Sequence, residues 1–117
     1  METKITKTDN YVLVQVIGTL DQQGAFFLKN TLVNELSISD EVPENLSHLI
    51  IDFAEIESIS SSGIGLLASL QRTFNKSSKF MSIVKIPYSF QQILMVTNLL
   101  NIFSIYNSLD EALKRTK

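Results

Sequence analysis

HLIIDFAEIESISSSGIGLLASLQRTF, residues 48–74, decides how this chain is read. Its first six residues, 48–53, form a short apolar run around Asp52, with the length and branched side chains of a buried strand. Residues 58–62 are serine-rich and turn-forming. From Gly63 onward Ile64, Leu67, Ala68, Gln71 and Phe74 recur every three or four positions, so a helix is predicted over 63–74. Strand, tight turn and helix in that order form half of a βαβ unit.

The same alternation extends in both directions. Upstream, residues 4–7 and 11–18 read as strands, and the second carries apolar residues on both phases, as a strand covered on both faces does. Asp21 offers an N-cap for a helix over 22–36, in which Ala25, Leu28, Leu32, Val33 and Leu36 fall at helical spacing. A polar loop then leads to residue 48. Downstream, 79–85 reads as a strand, and Pro87 opens a helix reaching residue 96 or 97. Asn98 suits a left-handed C-cap position, and 103–106 is a short strand. Ser108 with Glu111 forms a capping box for a last helix over 109–115. The expected fold class is therefore α/β, β-β-α-β-α-β-α-β-α. It has a mostly parallel central sheet, an antiparallel first pair, helices packed on the sheet, and one domain over residues 1–117.

Composition narrows the function. A chain of 117 residues buries roughly two thirds of its unfolded surface without staples. It holds no Cys, which excludes disulfides and thiolate metal sites and favours a reducing, cytoplasmic compartment. METKITKTDN at the start has no apolar core and does not read as a secretory signal, and no stretch approaches the ~18 apolar residues that span a bilayer. The net charge of −2 is segregated: seven acids and no Lys or Arg lie between residues 30 and 71, while 72–117 carries seven bases against Asp110 and Glu111. This balance does not suggest direct nucleic-acid binding.

Enzyme templates find little purchase. His48 is the sole histidine and opens a buried strand, which fits a structural role, and no metal-ligand cluster is expected. Ser62-Gly-Ile-Gly65 lacks the third glycine of a dinucleotide fingerprint and the lysine of a P-loop, so no cofactor is expected. The turn places Ser62 at or beside a helix N-cap. It then serves either as a cap alone or as a phosphoacceptor, whose phosphate would face free backbone N–H groups and the positive end of the helix dipole. Leu66 and Leu70 lie off the core stripe of their helix, and Phe27 lies opposite that of the first helix. Either these helices are widely buried or a partner-binding patch adjoins Ser62.

Four segments taken together resemble a known family: Gly18-Thr-Leu-Asp21, Leu49-Ile-Ile-Asp52-Phe53, Ser60-Ser-Ser-Gly-Ile-Gly-Leu-Leu67, and Thr97-Asn-Leu-Leu-Asn-Ile-Phe103 followed by Asn107-Ser-Leu-Asp-Glu-Ala-Leu113. In this order and spacing they resemble the STAS domain of bacterial anti-sigma factor antagonists. The resemblance implies a non-enzymatic partner switch. The unmodified protein binds an anti-sigma factor that is also a serine kinase, releasing a sigma factor; phosphorylation turns it off, and a serine phosphatase resets it. It assigns the phosphorylated residue to Ser62 and the nearby acid to Asp21, with Ser61, Ser62, Gly63, Leu66 and Leu70 completing the partner-binding surface. The family usually carries Asp two residues before the phosphoserine, where this chain has Ser60. Ser61 and Ser60 therefore stand as alternative acceptors. Two other functions fit the same residues: a non-switching adaptor of a lipid-transport ATPase complex, and a nucleotide-binding domain.

Overall fold

A computed structural model of the chain describes residues 1–115; the last two residues of the expected 1–117 domain lie outside the described residues. The elements follow the expected order: β1 Glu2–Lys7, β2 Val12–Leu20, α1 Gln22–Leu36, β3 His48–Ile59, α2 Ser61–Lys76, β4 Phe80–Val84, α3 Tyr88–Val96, β5 Ile105–Tyr106 and α4 Leu109–Arg115. A short 3-10 turn, Leu100–Ile102, absent from the sequence reading, precedes β5. The five strands form one sheet in the order β1-β2-β3-β4-β5, antiparallel between β1 and β2 and parallel thereafter.

That order places the helices. Because β2, β3, β4 and β5 advance in one direction across the sheet, right-handed crossovers put all three connections on the same face. The main core lies there: Val12, Val14 and Val16 of β2 and Leu49, Ile51 and Phe53 of β3 meet Leu28 and Leu32 of α1, Leu67 and Phe74 of α2, and Leu94 of α3. The alternate residues of the strands point the other way. Ile50 and Val84 pack with Ala112 of α4, and Tyr11, Leu13 and Tyr106 border them. Both phases of β2 are thus in use, which explains its lack of simple apolar-polar alternation.

Local boundaries follow from capping and backbone geometry. Asp21 accepts the Gly24 amide at 2.8 Å and starts α1 as expected. The amide of Glu111 donates to Ser108 Oγ at 3.1 Å, closing one half of the predicted capping box. Asn98, at φ 60°, ends α3: its N–H donates to the Met95 carbonyl, and the Leu99 N–H reaches back to Leu94, the bond pattern of a Schellman motif. β4 stops at Val84 because Lys85 takes the left-handed conformation, φ 58°.

Two expectations need correcting. β3 runs on through Ile59, so residues 58 and 59 are strand, and Ser60 alone forms the corner before α2. Val33, read as part of the core stripe of α1, is exposed, because α1 buries the narrower row Gly24, Leu28, Leu32 and Leu36.

Candidate functional site

Leu20 and Ile59 are register partners at the ends of the parallel strands β2 and β3. The next residues, Asp21 and Ser60, are the N-caps of α1 and α2. Neighbouring strands lie about 4.8 Å apart, so two helix N-termini stand side by side at this edge of the sheet. Each places a glycine three residues past its cap, Gly24 and Gly63, whose amide donates to the cap side chain. Both glycines sit against β2. A Cβ on Gly63 would fall 2.5 Å from the Leu20 carbonyl oxygen and 2.7 Å from Leu20 Cγ, and one on Gly24 would collide with the Thr19 carbonyl oxygen. Glycine at these positions lets the helices reach the strand ends closely enough to close the corner.

Ser60 is fully occupied by this corner. Its backbone N–H donates to Leu20 O at 3.0 Å, its hydroxyl donates to the same oxygen at 3.4 Å, and its Oγ accepts the Gly63 amide at 3.5 Å. The expectation that Ser62 stands at or beside the N-cap is therefore corrected. Ser60 is the cap, and Ser61 and Ser62 are the first two residues of the helix. Both are exposed, as is Asp21. Their amides belong to the first helical turn, whose N–H groups have no carbonyl within the helix to accept them.

Of the remaining residues expected at a partner surface, Gly63 is buried under the corner and Leu66 is half-buried. Leu70 is 7% exposed and belongs to the main core, a correction to its expected place on the surface. The α2 helix buries a wider arc than its stripe suggested, because α1 and β4 both pack against it. On α1, Phe27 is 43% exposed and Phe26 69% exposed. Phe27 lines a shallow depression of about 280 Å³ with Met1, Thr19, Asp21, Gln23 and Gly24, directly beside the α1 cap. Sequence reading overlooked Phe26, although two consecutive phenylalanines cannot both face one core stripe at 100° per residue. Glu55, Glu57 and Ser58 are exposed on the approach to the corner, and Ser58 Oγ donates to Thr19 Oγ1 at 3.3 Å across the strands.

His48 lies elsewhere, buried at the start of β3, with its Nε2 2.7 Å from Ser82 Oγ. Burial lowers its pKa from the ordinary 6.5, so the ring is held neutral. The described residues contain no group of three His, Cys, Asp or Glu side chains able to hold a metal ion, and no helix among them is long and apolar enough to cross a membrane.

Residues 2–112 match the STAS domain family. The chain belongs to that family. A protein of Thermotoga maritima assigned as an anti-sigma factor antagonist is 21% identical over 109 residues, covering 93% of this chain and 92% of that protein. A crystal structure of a protein so assigned from the same organism superposes with a TM-score of 0.81 at 20% identity, covering 97% of this chain and 92% of that one. The Bacillus cell fate determinant SpoIIAA in its phosphorylated form superposes with a TM-score of 0.70 at 14% identity, covering 99% of this chain and 100% of that one. The five-stranded, mostly parallel sheet with its helices is thus the STAS fold, as the sequence motifs implied.

Proposed function

We propose that this STAS domain is an anti-sigma factor antagonist that works by partner switching, with Ser62 as the phosphorylated residue. The observation that carries the reading is the division of labour among the serines. Ser60 spends its hydroxyl and its amide on the corner, whereas Ser62 is exposed in the first turn of α2. A phosphate on Ser62 would meet unsatisfied backbone N–H groups and the positive end of the α2 dipole, so the fold can carry it. Ser61 is exposed on the same turn and is the alternative acceptor; Ser60 is the weaker alternative because its hydroxyl is engaged. The family's usual Asp at that position is a side chain that caps as well as Ser does, so Ser60 keeps the cap and removes one negative charge beside the acceptor.

In this reading the partner surface comprises Asp21, Ser61, Ser62 and the half-buried Leu66, with Gly63 shaping it from beneath; Leu70 supports it from the core. An anti-sigma factor with serine kinase activity binds here and releases its sigma factor. It then transfers the γ-phosphoryl group of its own ATP to the Ser62 hydroxyl, whose proton is lost. About −1.5 to −2 charges are added within a surface that already carries Asp21 and Glu57. Repulsion and the bulk of the phosphate release the partner, and a serine phosphatase restores the hydroxyl. The chain supplies a surface and an acceptor and catalyses neither step, and both partners place it in the cytoplasm.

The test is phosphorylation by the kinase captured from the source cell, followed by mapping of the modified residue by mass spectrometry. Modification at Ser62 is expected. Modification at another residue, or partner release that persists unchanged in Ser62→Ala, overturns the assignment.

A further inference from the structure

α3 carries apolar side chains on two opposite faces. Leu94 is buried in the main core, and Phe90 packs there from the same side of the helix. At 100° per residue the far side presents Ser89, Gln92, Ile93 and Val96, an i, i+3, i+4, i+7 seam centred about 150° from Leu94. All four are exposed, Val96 to 82%, and the exposed Tyr88 and Met95 border them on one side. With Thr97 the seam residues line a shallow depression of about 370 Å³. A surface helix ordinarily turns a charged and polar face to water. α3 has no charged residue and turns Tyr88, Ile93, Met95 and Val96 outward instead, which marks an interaction surface.

We infer that this seam pairs with the α3 seam of a second copy of the chain, antiparallel about a two-fold axis. Charge selects the occupant. Residues 86–109 contain no charged side chain, whereas α1 exposes Lys29 and Glu35, α2 Arg72 and Lys76, and α4 Asp110 and Lys114. A two-fold contact sets a patch against itself, so charges near the axis meet their own kind. Among the helices only α3 meets its copy with none. Homodimer interfaces are also more apolar than those between unlike partners, where charges choose the partner. A membrane-seated helix would edge its apolar side with Lys or Arg, and no cation lies between Lys85 and Lys114. Reversal maps the seam onto itself, with Ser89 opposite Val96 and Gln92 opposite Ile93, so a small residue receives a larger one at each end. Gln92, beside the axis, donates to Tyr88 Oη at 2.8 Å and keeps its carbonyl oxygen and second N–H for the copy. Nine residues make about 13 Å of helix. The contact is therefore small, and its dissociation constant should lie between about 10 μM and about 1 mM. The seam is on a different helix from Ser62, so the inference stands or falls independently of the phosphorylation proposal.

Sedimentation equilibrium of the full chain, carried up to about 1 mM, tests the inference. A monomer–dimer equilibrium is expected. Gln92 is exposed, so Gln92→Glu and Gln92→Lys keep the fold while setting like charges together at the axis. Each should weaken association at least tenfold, and an equimolar mixture of the two should restore it. A dimer that neither substitution weakens, or a mixture no tighter than either variant alone, overturns the seam. A chain that stays monomeric overturns the second copy as occupant, whether the face then binds phosphatidylcholine vesicles, as a membrane-seated helix would, or ignores them, as a site for an unlike protein would.

Discussion

The backbone N–H of Ser60 donates to the carbonyl oxygen of Leu20 at 3.0 Å, tying the first corner residue after β3 to the last residue of β2. That oxygen also receives the Ser60 hydroxyl at 3.4 Å, and it is the atom nearest to any Cβ placed on Gly63. One carbonyl thus fixes where α2 begins, and with it which serines remain free. The candidate switch is a consequence of strand pairing.

Replacing Gly63 with alanine tests that closure. The added methyl would sit 2.5 Å from a backbone oxygen that β-sheet pairing holds in place. The corner must open, at a cost of about 1–3 kcal/mol. Urea unfolding should show the loss, while Gly65→Ala, where the added atom meets nothing within 4 Å, should leave stability unchanged or slightly raised.

Ser60→Ala and Ser62→Ala are expected to separate stability from modification. Loss of the cap at Ser60 should cost about 1 kcal/mol while phosphate incorporation continues. Ser62→Ala should stay within about 0.5 kcal/mol of wild type and incorporate no phosphate. Thermal denaturation paired with intact-mass measurement after kinase treatment reads both effects. The opposite pairing would make Ser60 the acceptor.

Ser62→Asp should fold as wild type does and bind the anti-sigma partner at least tenfold more weakly, equivalent to about 1.4 kcal/mol. Calorimetry against the purified partner measures this. Retained affinity would favour a constitutive adaptor over a switch.

Leu70 and Phe27 make a second contrasting pair. Leu70→Ala removes a core side chain and should destabilise by about 2–5 kcal/mol. Phe27→Ala removes a side chain that is 43% exposed beside the α1 cap, so its stability cost should be under about 1 kcal/mol. If the partner surface extends along α1, Phe27→Ala lowers affinity; if affinity is untouched, the surface ends at Asp21.

His48 sets a pH dependence. Burial depresses its pKa in the folded chain below the unfolded value of 6.5. As pH falls through about 6.5 the unfolded chain takes up a proton that the folded chain still refuses. Stability is therefore complete above that pH, declines below it and levels off under the folded pKa. His48→Gln should remove this component, so that its urea midpoint falls less than that of wild type between about pH 7.5 and about pH 5. Identical slopes would show that the ring is not held neutral.

Much of the site was legible because its signals are local. Asp21 as a cap, the Ser108 half of the Ser108–Glu111 box and the left-handed Asn98 each depend on residues within one helical turn, and all appear where residue type placed them. The number and order of strands and helices likewise follow from periodicity. The off-stripe leucines were harder: at 100° per residue Leu66 lies roughly 135° and Leu70 roughly 95° from the centre of the stripe, and the packing of α1 and β4 against α2 buries Leu70 while leaving Leu66 half-exposed. A helical wheel describes one helix, whereas burial depends on how many neighbours flank it.

By itself, then, the sequence determined the alternation of elements, the family and the serine-rich corner, since hydrophobic period, capping chemistry and motif spacing are carried along the chain. Only the tertiary structure decided that Ser60 and not Ser62 caps α2. The choice depends on a carbonyl forty residues earlier, brought alongside when Leu20 pairs with Ile59. It likewise decided that Leu70 is core rather than surface, because α1 and β4 pack against α2 from both sides.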